Sequence, residues 1–145
     1  MPADRYFLDT NILVYANDSS DEPKMDAAVR LVADGIRSGL GVISSQVLSE
    51  FWVTVTQKIR TPLDRLTAGK EIEHFRALQV VSVEYDTVRA AIRLQARHQL
   101  AYWDALMLTT AVLSGCGRLF SEDMEEGRQY DGVVVVDPFA FPKVP

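Results

Sequence analysis

Four acidic residues stand where an α/β chain tends to place its chemistry. Asp9 ends the apolar run Tyr6-Phe7-Leu8, and Glu50 falls in the second turn of the helix after Val42-Ile43. Asp104 opens a helix, and Asp123 follows Leu119-Phe120 within Ser121-Glu122-Asp123. In open parallel sheets ligands bind beyond the carboxyl ends of the strands, so these four side chains could meet at one edge. Two carboxylates about 4 Å apart repel by roughly 4 kcal/mol at an effective dielectric near 20. A cluster of three or four therefore needs a cation, or partial protonation, to persist at neutral pH. Oxygen-only donors suit Mg²⁺ or Mn²⁺ rather than Zn²⁺. His74 and His98 are the only imidazoles, and neither has a zinc-like spacing. Each acid also has a plainer reading. Asp9 and Asp104 could cap helices, Glu50 could be a solvated acid, and Asp123 belongs to an acid-rich stretch with Glu122, Glu125 and Glu126. Residue type and spacing leave both readings open.

The elements that must position these groups are short apolar strands alternating with helices. Strands are expected at Tyr6–Leu8, Val42–Ile43, Val80–Val83, Arg118–Phe120 and Val133–Val136. Ala28, Val32 and Ile36 have helical spacing within 27–36, closed by Gly39 and Gly41. Val47, Phe51, Val55 and Ile59 recur every four residues, after Ser44 or Ser45 as a cap and before Thr61-Pro62 as a stop. A weaker helix spans Leu63–Leu78, and two more span Tyr85–Gln99 and Asp104–Leu113, ahead of the turn Gly115-Cys116-Gly117. Strands apolar on both faces imply a parallel sheet covered by helices on both sides. No repeat or linker divides the chain, so residues 1–145 are expected to form one domain.

Composition narrows the function classes. With 48% hydrophobic and 24% charged residues, this is a folding chain and not a disordered tail. The single cysteine, Cys116, excludes an internal disulfide and a cysteine-built zinc site. The N-terminus lacks the apolar core of a signal peptide and no stretch approaches a membrane span, so a cytoplasmic protein without a membrane partner is expected. A net charge of −5 argues against a non-specific nucleic-acid coat. It does not argue against phosphodiester chemistry, which an acidic pocket holding a divalent cation can perform in an anionic molecule. Gly39-Leu40-Gly41 precedes a strand and lacks a third glycine, so it is no dinucleotide loop. A serine or cysteine triad lacks a base and an elbow motif.

Taken together, the motifs resemble a known family. Tyr6-Phe7-Leu8-Asp9-Thr10-Asn11-Ile12-Leu13-Val14-Tyr15 is similar to the opening of PIN-domain ribonucleases of the VapC toxin type. Ser45-Gln46-Val47-Leu48-Ser49-Glu50-Phe51, Trp103-Asp104-Ala105-Leu106 and Leu119-Phe120-Ser121-Glu122-Asp123-Met124 resemble the later motifs, in order. Val134-Val135-Val136-Asp137-Pro138-Phe139 resembles the usual ending, with Asp137 where the family often has Asn. The resemblance implies a three-layer α/β/α fold with a short central parallel sheet. It also implies a Mg²⁺ or Mn²⁺ site formed by Asp9, Glu50, Asp104 and Asp123, with Glu122 a neighbour that could share the role of Asp123. Thr10, Asn11 and Ser121 would orient these carboxylates. An ion held there would polarise an RNA phosphodiester and acidify a water for attack on phosphorus, leaving 5′-phosphate and 3′-hydroxyl ends. The implied partners are RNA, a second copy of the chain in a homodimer, and a cognate antitoxin whose C-terminal segment covers the acidic pocket.

Other features have two readings. Arg89, Arg93 and Arg97 line one helix face, either as a solvated face or as an RNA-binding stripe that tracks phosphates. Lys58, Arg60, Arg65, Lys70 and Arg76 form a looser basic region. Trp52 and Trp103 are expected to pack in the core or a dimer interface. Competing functions are a metal-independent ribonuclease using His74 and His98 as acid and base, a receiver-like signalling domain with an acidic Mg²⁺ pocket, and a scaffold that only binds RNA.

Overall fold

In a computed structural model, residues 4–140 are described; the outermost residues of the expected domain, 1–3 and 141–145, lie outside this range. Tyr6–Leu8 forms strand β1, buried throughout, at the middle of a six-stranded sheet. Gly41–Ser44 (β2) and Gln79–Val81 (β3) extend the sheet on one side. Arg118–Phe120 (β4), Val133–Val136 (β6) and Gln129–Tyr130 (β5) extend it on the other, giving the order β3-β2-β1-β4-β6-β5. Phe7 pairs with both Val42 and Leu119. All pairings are parallel except β5 with β6. Sequence pattern missed β5, a two-residue strand that hydrogen bonds only to its hairpin partner. β3 is shorter than the expected Val80–Val83 and exposed, as an edge strand can be.

Between the strands run Thr10–Tyr15 (α1), Glu22–Ser38 (α2), Ser45–Gln57 (α3), Arg65–Phe75 (α4), Tyr85–His98 (α5) and Tyr102–Leu113 (α6). Helices α1 to α4 pack against one another on one face, and α5 pairs with α6 on the other. This is the three-layer α/β/α arrangement. Helix α1 was not anticipated, because its six residues are too few to show a helical repeat. Helix α2 starts earlier than the apolar spacing suggests, with Asp21 as its cap and Pro23 in its first turn. Helix α3 ends at Gln57, before Thr61-Pro62, and α4 is shorter than Leu63–Leu78. The core under the sheet is formed by Phe7, Leu8, Ile12, Leu13, Ile43, Phe51, Phe75, Leu108 and Leu119, all essentially fully buried. Helix α2 crosses β2 at a pair of glycines: a Cβ on Gly41 would lie 2.8 Å from the Gly35 Cα.

Candidate active site

The chain runs outward from β1 to β2 and β3, then returns to place β4 on the other side of β1. The carboxyl ends of β1 and β4 therefore flank the switch point of the sheet, where the strands diverge and leave a crevice. Asp9 follows β1 directly and caps α1, its Oδ1 accepting from the Thr10 amide at 2.5 Å. Ser121 follows β4, is fully buried, and donates its hydroxyl to Asp9 Oδ2 at 2.6 Å. Asn11, the second residue of α1, donates to Asp123 Oδ2 at 3.0 Å and lies 3.4 Å from Asp9 Oδ2. Thr10 donates its hydroxyl to Glu50 Oε2 at 3.0 Å, across to α3. Gln46 completes the lattice by donating to Glu50 Oε1 at 2.8 Å and to the Trp103 carbonyl at 3.2 Å. Its role was not foreseen. The signal was its place four residues before Glu50, on the same helix face.

Asp9, Glu50, Asp104 and Asp123 all line one cavity of about 560 Å³, together with Thr10 and Asn11. Asp104 is the third residue of α6, which begins at Tyr102, so it neither opens nor caps its helix as expected. Burial is the main force on the ionisation of this site. Asp9, only 8% exposed, is pushed up to about 6, chiefly by burial, against the stabilising hydrogen bonds from Ser121 and Thr10; the charges of Asp123 and Glu50 add to the rise. Asp104 is also raised, first by burial and then by Asp123 and Glu50. Asp9 and Asp104 thus both feel the charges of Asp123 and Glu50 across one cavity.

Among the described residues, no Lys, Arg or His forms an ion pair with any of these four. As the side chains stand, no three acidic, histidine or cysteine groups among the described residues cluster tightly enough to grip one ion together. Asp9, Glu50 and Asp123 are each held by hydroxyl or amide donors. The Oδ1 of Asn11, which lines the acidic cavity, and the Oε1 of Gln46, beside Glu50, are buried without a protein partner. The donor set is hard, anionic and short of neutralising cations, and these orphaned carbonyl oxygens add neutral oxygen donors beside it. Such a set fits Mg²⁺ or Mn²⁺.

Glu122 and Asp123 both line this cavity but have different partners. Glu122 forms an ion pair with Lys24 and accepts from Tyr15 Oη at 2.8 Å. Asp123 faces Asn11 and the other acids. The basic residues sort differently from expectation. Lys58 and Arg60, just past the end of α3, line the acidic cavity. Arg89, Arg93 and Arg97 lie exposed on α5 and line none of that cavity; Arg97 hydrogen bonds to Asp131 at 2.5 Å. His74 sits exposed on α4, on the β3 side of the sheet, whereas His98 packs on Tyr130 of β5 and hydrogen bonds to Asp131. These are opposite edges of one sheet, so the two imidazoles cannot serve one phosphate as acid and base. Trp52 packs against the core as expected, but Trp103 is 63% exposed and belongs to no core.

Fold and site define an α/β domain with an acidic pocket at the switch point of its sheet. The chain belongs to the PIN domain family, whose sequence model matches residues 6–128. That membership sets aside the receiver-like reading. No curated protein matches it in sequence. Its fold is that of VapC-type proteins. A toxin–antitoxin complex from Klebsiella pneumoniae is similar with a TM-score of 0.67 and 18% identity, over 92% of this chain and 97% of that one. The Mycobacterium tuberculosis toxin VapC20, described as cleaving the sarcin–ricin loop, gives 0.64 and 20% over 81% and 91%. A DNA-bound VapBC from Salmonella typhimurium gives 0.65 and 17% over 92% and 98%. No helix among the described residues is long and apolar enough to cross a membrane.

Proposed function

We propose that this chain is a Mg²⁺- or Mn²⁺-dependent endoribonuclease, the toxin of a toxin–antitoxin pair, working in the cytoplasm as a homodimer. The observation that carries the reading is the convergence of Asp9, Glu50, Asp104 and Asp123, far apart in the chain, on one cavity where burial already strains the ionised forms of Asp9 and Asp104. Family membership and structural neighbours that are toxins or toxin–antitoxin complexes support the toxin role and an antitoxin partner.

When bound, the ion supplies Lewis acidity to a phosphodiester oxygen and makes water a stronger nucleophile at neutral pH. Asp9, Glu50, Asp104 and Asp123 would hold it. The surrounding side chains keep that set in order. Ser121 and the Thr10 amide fix both oxygens of Asp9, Thr10 and Gln46 fix those of Glu50, and Asn11 holds one oxygen of Asp123. Such positioning groups typically matter 10- to 100-fold. Lys58 and Arg60 supply the positive rim that an anionic protein needs where an RNA backbone enters.

Cleavage of RNA oligonucleotides with and without EDTA tests the reading. Cleavage should stop in EDTA, return with Mn²⁺ or Mg²⁺, and be lost in Asp9→Asn, a nearly isosteric change. Cleavage that continues in EDTA, or full activity in Asp9→Asn, contradicts it.

A further inference from the structure

Next to the acidic cavity lies a second, larger one of about 740 Å³, lined by Val53, Val83, Trp103 and Leu106 with Gln46 and Ser49 among its polar groups. The two share Glu50, Thr54 and Lys58, so they form one continuous depression with an acidic end and an apolar end. Its size and mostly apolar lining are those of a small-molecule site. We infer that the apolar end is a nucleobase subsite in which Trp103 is the stacking platform for a base flanking the scissile phosphate. This inference rests on the ribonuclease reading.

Three observations support that occupant. The first is exposure: the indole lines the apolar groove and is 63% open to solvent. The second is rigidity. Tyr102 meets the indole edge-to-face with ring centroids 5.2 Å apart. The Trp103 carbonyl is held by the same Gln46 amide that holds Glu50, which ties the platform to the acidic site. The third is adjacency. Trp103 immediately precedes Asp104 in the chain, and Lys58 stands where the two cavities join, placing a cation for phosphate between an apolar wall and the carboxylates. A nucleotide has this polarity, an aromatic plane on one side and an anion on the other. Base–aromatic stacking also tolerates any sequence, since every base has a π-face.

Trp52 and Trp103 are the only tryptophans, so Trp52→Phe isolates the Trp103 emission. In that background, with Asp9→Asn to prevent turnover, a single-stranded RNA octamer should quench the Trp103 fluorescence. An abasic octamer of the same length should bind more weakly and leave the emission unchanged. In the otherwise wild-type chain, Trp103→Ala should raise KM about tenfold with kcat changed far less, and Trp103→Phe should recover most of the loss. Equal quenching by both octamers, RNA binding by anisotropy without quenching, or an unchanged KM in Trp103→Ala overturns the subsite while the nuclease reading stands. Emission that depends on protein concentration before RNA is added assigns the groove to a second copy of the chain and also overturns it. A wild-type chain that cleaves no RNA in any divalent metal defeats the underlying reading instead.

Discussion

Asp9 shows how far a site can oppose its own fold. Its carboxyl group ionises near pH 6 in the folded chain, mainly through burial, against an ordinary value of 3.8. Between those values the folded state binds the proton more tightly than the unfolded state. Stability of the metal-free protein should therefore fall as pH rises from about 4 through about 6, and stay low above that, by a term of order 3 kcal/mol. Asp9→Asn should flatten this pH dependence and raise the stability of the metal-free protein near pH 8, even as it removes cleavage; urea midpoints across pH check it. Lys24 plays the opposite part. Its hydrogen bond to Glu122 pushes it up to about 12. Lys24→Met should cost about 1–3 kcal/mol by leaving Glu122 half-buried and unpaired, and Glu122→Gln added to it should restore much of the loss, read from denaturant midpoints.

At the scale of elements, the site depends on where strands stop. β1 and β4 end level with each other, and a backbone hydrogen bond of 3.0 Å from the Asp9 amide to the Phe120 carbonyl locks their ends together. β2 places Ser44 as the cap of α3, with its hydroxyl 3.2 Å from the Val47 amide, which sets the rotation that points Glu50 inward. Gly41 lets α2 lie close to β2, where a Cβ would strike the Gly35 backbone. Gly41→Ala should destabilise by about 1–3 kcal/mol, measured by thermal or denaturant unfolding, without altering the acidic residues themselves. Much of this was legible in the chain. The apolar runs marked β1, β2, β4 and β6, and the carboxylates after them followed from a general rule for parallel sheets. Elements that pattern missed were short: α1 has six residues and β5 has two. Long-range effects were not legible either. Nothing local distinguishes Lys58 and Arg60, which face the cavity, from Arg89 and Arg93, which do not. Nothing local marks Trp103 as exposed, since an indole between apolar helix residues usually packs inward.

The molecule as a whole is anionic, gathers in one cavity four carboxylates that form no ion pair among the described residues, and places Lys58 and Arg60 in the lining of that cavity. On the proposed function, that distribution would repel RNA until a divalent ion offset the carboxylates, which would couple ion binding to RNA binding. It follows that Mn²⁺ should stabilise the wild-type fold by mass action, and more at pH 8 than at pH 5, where Asp9 is largely protonated. The most direct test of the central claim is a Mn²⁺ titration followed by electron paramagnetic resonance on the wild type and on Asp9→Asn, Glu50→Gln, Asp104→Asn and Asp123→Asn. The account predicts binding to the wild type that each substitution weakens at least tenfold, with the fold intact by circular dichroism. Equal Mn²⁺ binding by the wild type and all four variants would contradict it.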